Sequence, residues 1–333
     1  MINVDIVDRP FSSENVGQWR QLWQSFRKHR LGMIGLVMLT LILLGVIFVP
    51  VFFSDPYGRV ANDSFLWSAP IGTVDPATGH RYWLGSDIYG RDNLALSFEA
   101  GRLSFIVAFM PTVIILVLGF VIGALAGYFG GWIDAISMRV ADFLLALPLL
   151  PAYLVALRVI NEREAGFRIL PTQEDAREVL LALIIAFVLF GWMGVSRLVR
   201  GMVLLMRTYA YIEAARALGA STWRIMFRHL LPNAATPMLI AGMFALGDFI
   251  VMEAMLSYFG MGFRDSLHPP MVSWGNIMAT NIEHIWTITN LNPFENIRPF
   301  IVIFPALLLF LTVLSINFIG DALRDVLDPH RQD

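Results

Sequence analysis

Apolar and polar positions along this chain fall into blocks rather than alternating. Six stretches carry few or no charges: residues 31–53, 103–133, 138–157, 179–205, 234–259 and 299–320. A helix needs about 20 mostly apolar residues to cross a bilayer core. Each block is long enough, so the pattern predicts an all-α polytopic membrane protein with about six transmembrane helices and both termini on one side. The third block opens with Arg139 and Asp142, the fourth carries Arg197 and Arg200 late, and the fifth encloses Asp248 and Glu253. The predicted organisation is a polar N-terminal segment (1–30), an anchor helix (31–53), an outer loop (54–101), a helical core (102–320) and a polar tail (321–333).

Charge sets the orientation. Arg27, Lys28 and Arg30 stand directly before the first block, and Arg197, Arg200, Arg207, Arg216, Arg224 and Arg228 crowd the region between the fourth and fifth. Basic residues collect on the cytosolic side, which predicts an N-in, C-in topology. The first apolar run is too long for a signal-peptide core and ends in Ser54-Asp55-Pro56-Tyr57-Gly58 without a small-residue cleavage site, so it is expected to be a retained anchor.

Composition narrows the chemistry. The chain of 333 residues is 57% hydrophobic and 15% charged, with net charge −2. That argues against a soluble enzyme and leaves no basic field for nucleic acid. With no cysteines, thiolate and disulfide chemistry are excluded. The only lysine, Lys28, has no glycine-rich loop before it, so no phosphate-binding P-loop is present and any work against a gradient would draw its energy from an ion or from another subunit. His29, His80, His229, His268, His284 and His330 form no metal-ligand spacing, and no nucleophile elbow occurs. No cofactor, metal or catalytic residue is expected.

Several local features remain. Gly119, Gly123 and Gly127 recur every four residues and should let another helix approach closely. Asp248 and Glu253 are intramembrane carboxylates, which face a cavity or a partner as a rule. At roughly 100° per residue they sit about 140° apart around a helix and do not form one acid pair. Glu253 is read as near the outer interface. Asp248 is deeper, facing either a pathway or a neighbouring helix. From Tyr209 to Phe227 the chain is helix-forming, with Gly219 either breaking the helix or permitting a close contact. This arginine-rich segment could lie on the membrane surface or present a knob to a cytosolic partner.

The run Glu213-Ala214-Ala215, then Gly219, then Leu231-Pro232 resembles the signature loop of ABC importer permeases, and Arg228 through Asn233 is similar to its dipeptide/oligopeptide branch. Four other stretches resemble the same branch. They are Phe26 through Val37; Leu84-Gly85-Ser86-Asp87-Ile88-Tyr89-Gly90-Arg91-Asp92; Glu253 through Gly262 with Ser273-Trp274-Gly275; and Gly320 through Asp325 with Leu327-Asp328-Pro329. Two departures stand out: Pro148 and Pro151 where one proline is usual, and a long charged stretch over 161–178. The proline pair should kink the third span.

The resemblance implies the MetI-like permease fold in a bacterial plasma (inner) membrane. The implied partners are a second homologous permease, two P-loop ATPase subunits and an extracytoplasmic solute-binding protein. Glu213, Ala214, Ala215, Arg216, Leu218, Gly219, Leu231 and Pro232, within a coupling loop at about 207–232, would seat on an ATPase. Asp248 and Glu253 are candidates for the translocation path. Gly85, Asp87, Gly90, Arg91, Asp92 and Trp274 would face the receptor or cap the outer end. The cargo implied is peptide, with nickel chelates and oligosaccharides as alternatives. An ion-coupled secondary transporter using Asp248 and Glu253 is a rival class.

Overall fold

The structure is a computed structural model that describes residues 23–52, 70–76, 79–87, 89–161, 176–263, 271–282 and 300–327. The N-terminal residues to 22, the stretch over 162–175, His268, His284 and the tail beyond 327 lie outside the described residues. Among the described residues the chain is helical, with no strand and two isolated bridges, Val74 with Arg81 and Ser86 with Asp92. After a short helical stretch over 23–28 come α1 (Arg30–Phe52), α2 (Asn93–Phe129), α3 (Gly131–Leu145), α4 (Leu149–Asn161), α5 (Ala176–Met206), α6 (Ala210–Ala217), α7 (Thr222–Ile225), α8 (Leu231–Tyr258), α9 (Trp274–Ile282) and α10 (Phe300–Leu327). Five helical stretches are long and apolar enough to cross a membrane, and α3 with α4 make a sixth as a broken span.

The central contact is between α2 and α5. A Cβ on Gly119 would meet Val195 at 2.6 Å, one on Gly127 would meet Val203 at 2.9 Å, and one on Gly123 would overlap the Ser196 carbonyl oxygen. The two backbones therefore touch along this line, which matters because lipid gives apolar helices little reason to prefer one another over the surrounding chains. Across the bundle, Gly32 and Gly35 let α1 lie against Ala322 and the Ser315 carbonyl of α10, and His29 reaches Asp325 at 3.4 Å.

Both ends of α2 differ from the sequence expectation, and α10 runs on to Leu327, past the predicted end of the sixth span at 320 and into the predicted polar tail. Helix α2 begins at Asn93, ahead of the charge-free run that starts at 103. Asp92 caps it, its Oδ1 accepting from the Leu94 and Ala95 amides at 2.8 and 3.2 Å. The charges carried on this extension are answered locally. Arg102 pairs with Glu99 at 3.0 Å and donates through Nε to the Val46 carbonyl at 3.1 Å. That carbonyl needs a donor because Pro50, four residues on, has no N–H. At its far end α2 stops at Phe129, where Gly130 and Gly131 both take positive φ, so the charge-free run to Ile133 is not one helix.

The third span is not a kinked single helix over 138–157. Helices α3 and α4 bend by 100° at the break between Leu145 and Leu149. Pro148 disfavours helical geometry in the residue before it, and Pro151 falls in the first turn of α4, where a missing N–H costs nothing. Ion pairs from Asp134 to Arg200 and from Asp142 to Arg197 hold α3 on α5. Tyr153 of α4 packs edge-on against Phe187 and Phe190 of α5.

The end of the bundle away from the arginine-rich segment is closed by a polar clasp. Asp87, fully buried, accepts from the Tyr89 and Arg91 amides at 2.9 and 2.8 Å and pairs with the Arg91 guanidinium at 2.6 Å. Burial pushes its carboxyl above the usual range, while Arg91 and the two amides act in the opposite sense. His80 meets Asp92 at 2.9 Å, and Asn93 Nδ2 donates to the Phe300 carbonyl at 2.9 Å. Trp274, also fully buried, donates through Nε1 to the Ser97 carbonyl at 2.7 Å and through its amide to Ser104 Oγ at 3.1 Å.

Gly123→Val should destroy the α2–α5 seam, lowering the yield of monodisperse detergent-extracted protein at least several-fold. Gly194→Ala, where a Cβ meets nothing within 4 Å, should leave that yield unchanged in the same size-exclusion assay. Asp87→Asn leaves the Arg91 guanidinium buried without its counter-charge and should cost about 3–5 kcal/mol, read as a clear drop in thermal midpoint of the purified protein.

Candidate functional site

The arginine-rich segment between α5 and α8 is built as a seated, outward-facing knob. Ile212, Ile225, Met226 and Leu230 are buried and anchor it to the bundle. On α6 the residues Glu213, Ala214, Arg216 and Ala217 are exposed, followed by Leu218 at 89% exposure and Gly219. A leucine so uncovered, beside Trp223 at 59%, is an apolar surface prepared for something other than this chain.

The end of α6 explains Gly219. The Ala220 amide donates to the Ala215 carbonyl and the Gly219 amide to Arg216, both at 3.0 Å, closing the helix while Gly219 takes φ +78°. That left-handed position favours glycine. Of the two readings of Gly219, the break is the one observed: the helix-forming stretch from Tyr209 to Phe227 divides there, with Ser221 capping the second helix by accepting from the Arg224 amide at 3.4 Å.

Leu231 and Pro232 do not end the segment before the fifth span. They open α8 itself, and the helical path runs without a break from Thr222 to Tyr258. Pro232 cannot donate to the Arg228 carbonyl and its ring crowds that turn. The helix widens there to a π-turn over Met226–Leu230, with the Leu231 amide donating five residues back to Met226. Asn233 Nδ2 donates to the His229 carbonyl at 2.6 Å. The outward knob is thus rigidly joined to a membrane-spanning helix. It is also tied to α2. Arg207 Nη1 donates to the Gly127 carbonyl at 3.2 Å, and Arg216 lies 5.2 Å over the Tyr128 ring. Phe227, stacked on Trp223 at 5.8 Å, touches Phe120 of α2 at 5.9 Å. Sequence reading missed the tethering by Arg207 and Arg216. The excess of arginine in the segment is the only signal for it.

The two intramembrane carboxylates differ sharply. Glu253 does not reach an interface. It is fully buried, and its Oε1 accepts from Ser257 Oγ at 2.7 Å and Ser273 Oγ at 2.6 Å, while Oε2 has no partner. It ties the outer loop to α8 and lines no open space. Asp248 lies on the other side of α8, exposed, with no hydrogen bond or ion pair among the described residues. Gly85, Asp87, Gly90, Arg91, Asp92 and Trp274 belong to the outer clasp. Of these, Asp87, Arg91, Asp92 and Trp274 are buried and engaged, so they do not form an open docking face.

Comparison with known proteins agrees with this architecture. Residues 119–333 match the family model of the binding-protein-dependent transport system inner membrane component. Residues 17–69 match the N-terminal TM domain of oligopeptide transport permease C. The oligopeptide transport system permease protein OppC of Bacillus subtilis is 31% identical over 96% of this chain and 92% of its own length. The glutathione transport system permease protein GsiD of Pectobacterium atrosepticum is 32% identical over 93% and 91%. Among solved structures, an inward-facing MetNI methionine ABC transporter chain overlays with TM-score 0.49 at 19% identity, covering 70% of this chain and 97% of that one. With spans enough to cross the membrane several times and a family match over most of its length, the chain is a multi-pass member of the family of binding-protein-dependent transport system inner membrane components.

Proposed function

We propose that this chain is the permease subunit of an ABC importer that moves peptides into the cytoplasm by ATP-driven alternating access. The observation that carries the proposal is the unbroken helical path from Thr222, at the base of the exposed knob, through to the end of α8 at Tyr258. Helix α6 joins that path through the short turn over 218–221, which the Gly219 and Ala220 amides close onto the last carbonyls of α6. The relatives are named for oligopeptide and glutathione transport, which supports peptide as the cargo class.

In this reading the arginine-rich end is cytosolic, and the knob seats in a groove on one of two P-loop ATPase subunits. Leu218 supplies an apolar plug. Ala214 and Ala215 allow close approach. Glu213 pairs with a basic residue of the ATPase. Arg207 and Arg216 carry the same displacement to the inner end of α2. When the ATPases close on ATP, α8 and α2 are driven together, which is the rigid-body gating that alternates access. A second homologous permease completes the pathway, and an extracytoplasmic binding protein delivers cargo above the outer clasp. The chain performs no bond chemistry. ATP hydrolysis belongs to the partner subunits.

Glu213→Lys should lower peptide uptake by at least tenfold in complemented cells while leaving membrane insertion intact. Normal uptake by that variant would remove the coupling role. Gly219→Val forces a β-branched residue into the left-handed region, at a cost of roughly 1–2 kcal/mol, and should reduce ATPase recovered with the tagged permease. Undiminished recovery would contradict the placement of the knob in the ATPase groove.

A further inference from the structure

Asp248 is an exposed carboxylate far from either end of its helix. It precedes Tyr258, the last residue of α8, by ten positions, which at 1.5 Å per residue is about 15 Å. It therefore lies well inside the apolar length of α8, the part that crosses a hydrocarbon core of about 30 Å. A carboxylate at this depth does not face lipid without heavy cost, so it faces water or a cation. Among the described residues, nothing in this chain supplies the cation. Asp134 and Asp142 pair with arginines, and Glu253 is shut away from any open space, with two serines on Oε1, and Oε2 buried without a donor. Asp248 is the exception.

Its surroundings have a distinct character. Ala241, Phe244, Met252 and Met255 stand at −7, −4, +4 and +7 from Asp248 and so share its stripe of α8. Met255 is 44% exposed, and Ala241, Phe244 and Met252 are half-buried. Behind Asp248, Phe249 stacks on Phe187 at 4.8 Å, and Tyr153, which feels the Asp248 charge, packs edge-on against the same Phe187 at 5.3 Å. The stripe is therefore one fixed negative charge on a rigid aromatic base, flanked by pliable thioether side chains. Methionine surfaces adapt to many apolar shapes. A single carboxylate in such a setting favours a positive hydrogen-bond donor over a neutral one.

We propose that Asp248 is the subsite of the translocation path that takes the α-ammonium group of the cargo peptide, with the Met252 and Met255 stripe accommodating whatever side chains follow. This chemistry matches a cargo class whose members share a charged amino end and differ in side chains and length. The inference rests on the peptide-importer reading above.

The test is uptake of a radiolabelled tripeptide of alanine by the assembled importer in proteoliposomes, with saturating binding protein and ATP. Wild type, Asp248→Asn and Asp248→Glu are compared. The expected result is at least a tenfold loss for Asp248→Asn, with substantial recovery in Asp248→Glu and unchanged recovery of both permeases and both ATPases. Wild-type uptake with equal uptake by Asp248→Asn would overturn the subsite while leaving the importer reading intact. Loss of the second permease from the Asp248→Asn complex would also overturn it, assigning the carboxylate to a contact between subunits. No peptide uptake by wild type would overturn the peptide reading and the subsite with it.

Discussion

The backbone contact between α2 and α5 is the constraint on which the rest of this structure depends. In lipid, apolar side chains gain little by leaving one neighbour for another, so helices associate where close packing is sterically permitted. Gly119, Gly123 and Gly127 permit it along two turns, against Val195, Ser196 and Val203. Once the two helices are in register, Arg197 and Arg200 of α5 face Asp142 and Asp134 of α3. The same register brings Arg207, just beyond α5, onto the last carbonyls of α2. The broken span and the exposed knob are thus positioned from one seam.

Several backbone groups near helix ends and breaks are answered by side chains from distant parts of the chain. Arg102 serves the carbonyl freed by Pro50, Asn93 serves the start of α10, and Trp274 and Ser104 tie α9 to α2. These contacts concentrate at the end opposite the knob, where Glu253 Oε2, Asn276 Oδ1 and Asn281 Oδ1 nonetheless stay buried without a partner, while the knob displays Leu218 and Trp223.

Much of this was legible in the sequence because charge-free runs of sufficient length have few alternatives to spanning helices. The glycine repeat also declares itself, since its period matches a helix turn. The knob is legible from Glu213 to Gly219 by resemblance and from the left-handed demand at Gly219. What could not be read depends on partners far away in the chain. The extension of α2 back to Asn93 needs Asp92 as a cap and Val46 as an acceptor for Arg102. The burial of Glu253 needs Ser273, and that of Trp274 needs Ser97. The proline pair announced a kink, but its 100° depth is set by what α3 and α4 each find on α5. The π-turn before Pro232 follows from proline chemistry, yet only the packing of Leu230 and Ile225 shows that the helix continues through it.

The central claim is that the exposed knob is where an ATPase grips this chain. Because the chain has no cysteine, a single one placed at Leu218 is unique. Thiol cross-linking in native membranes, followed by identification of the adduct, tests the claim directly. The account predicts that Leu218→Cys joins to a P-loop ATPase subunit, with an efficiency that changes when ATP is added, and that Trp83→Cys at the opposite end does not. Absence of an ATPase adduct at position 218, with full complex recovered, would contradict it.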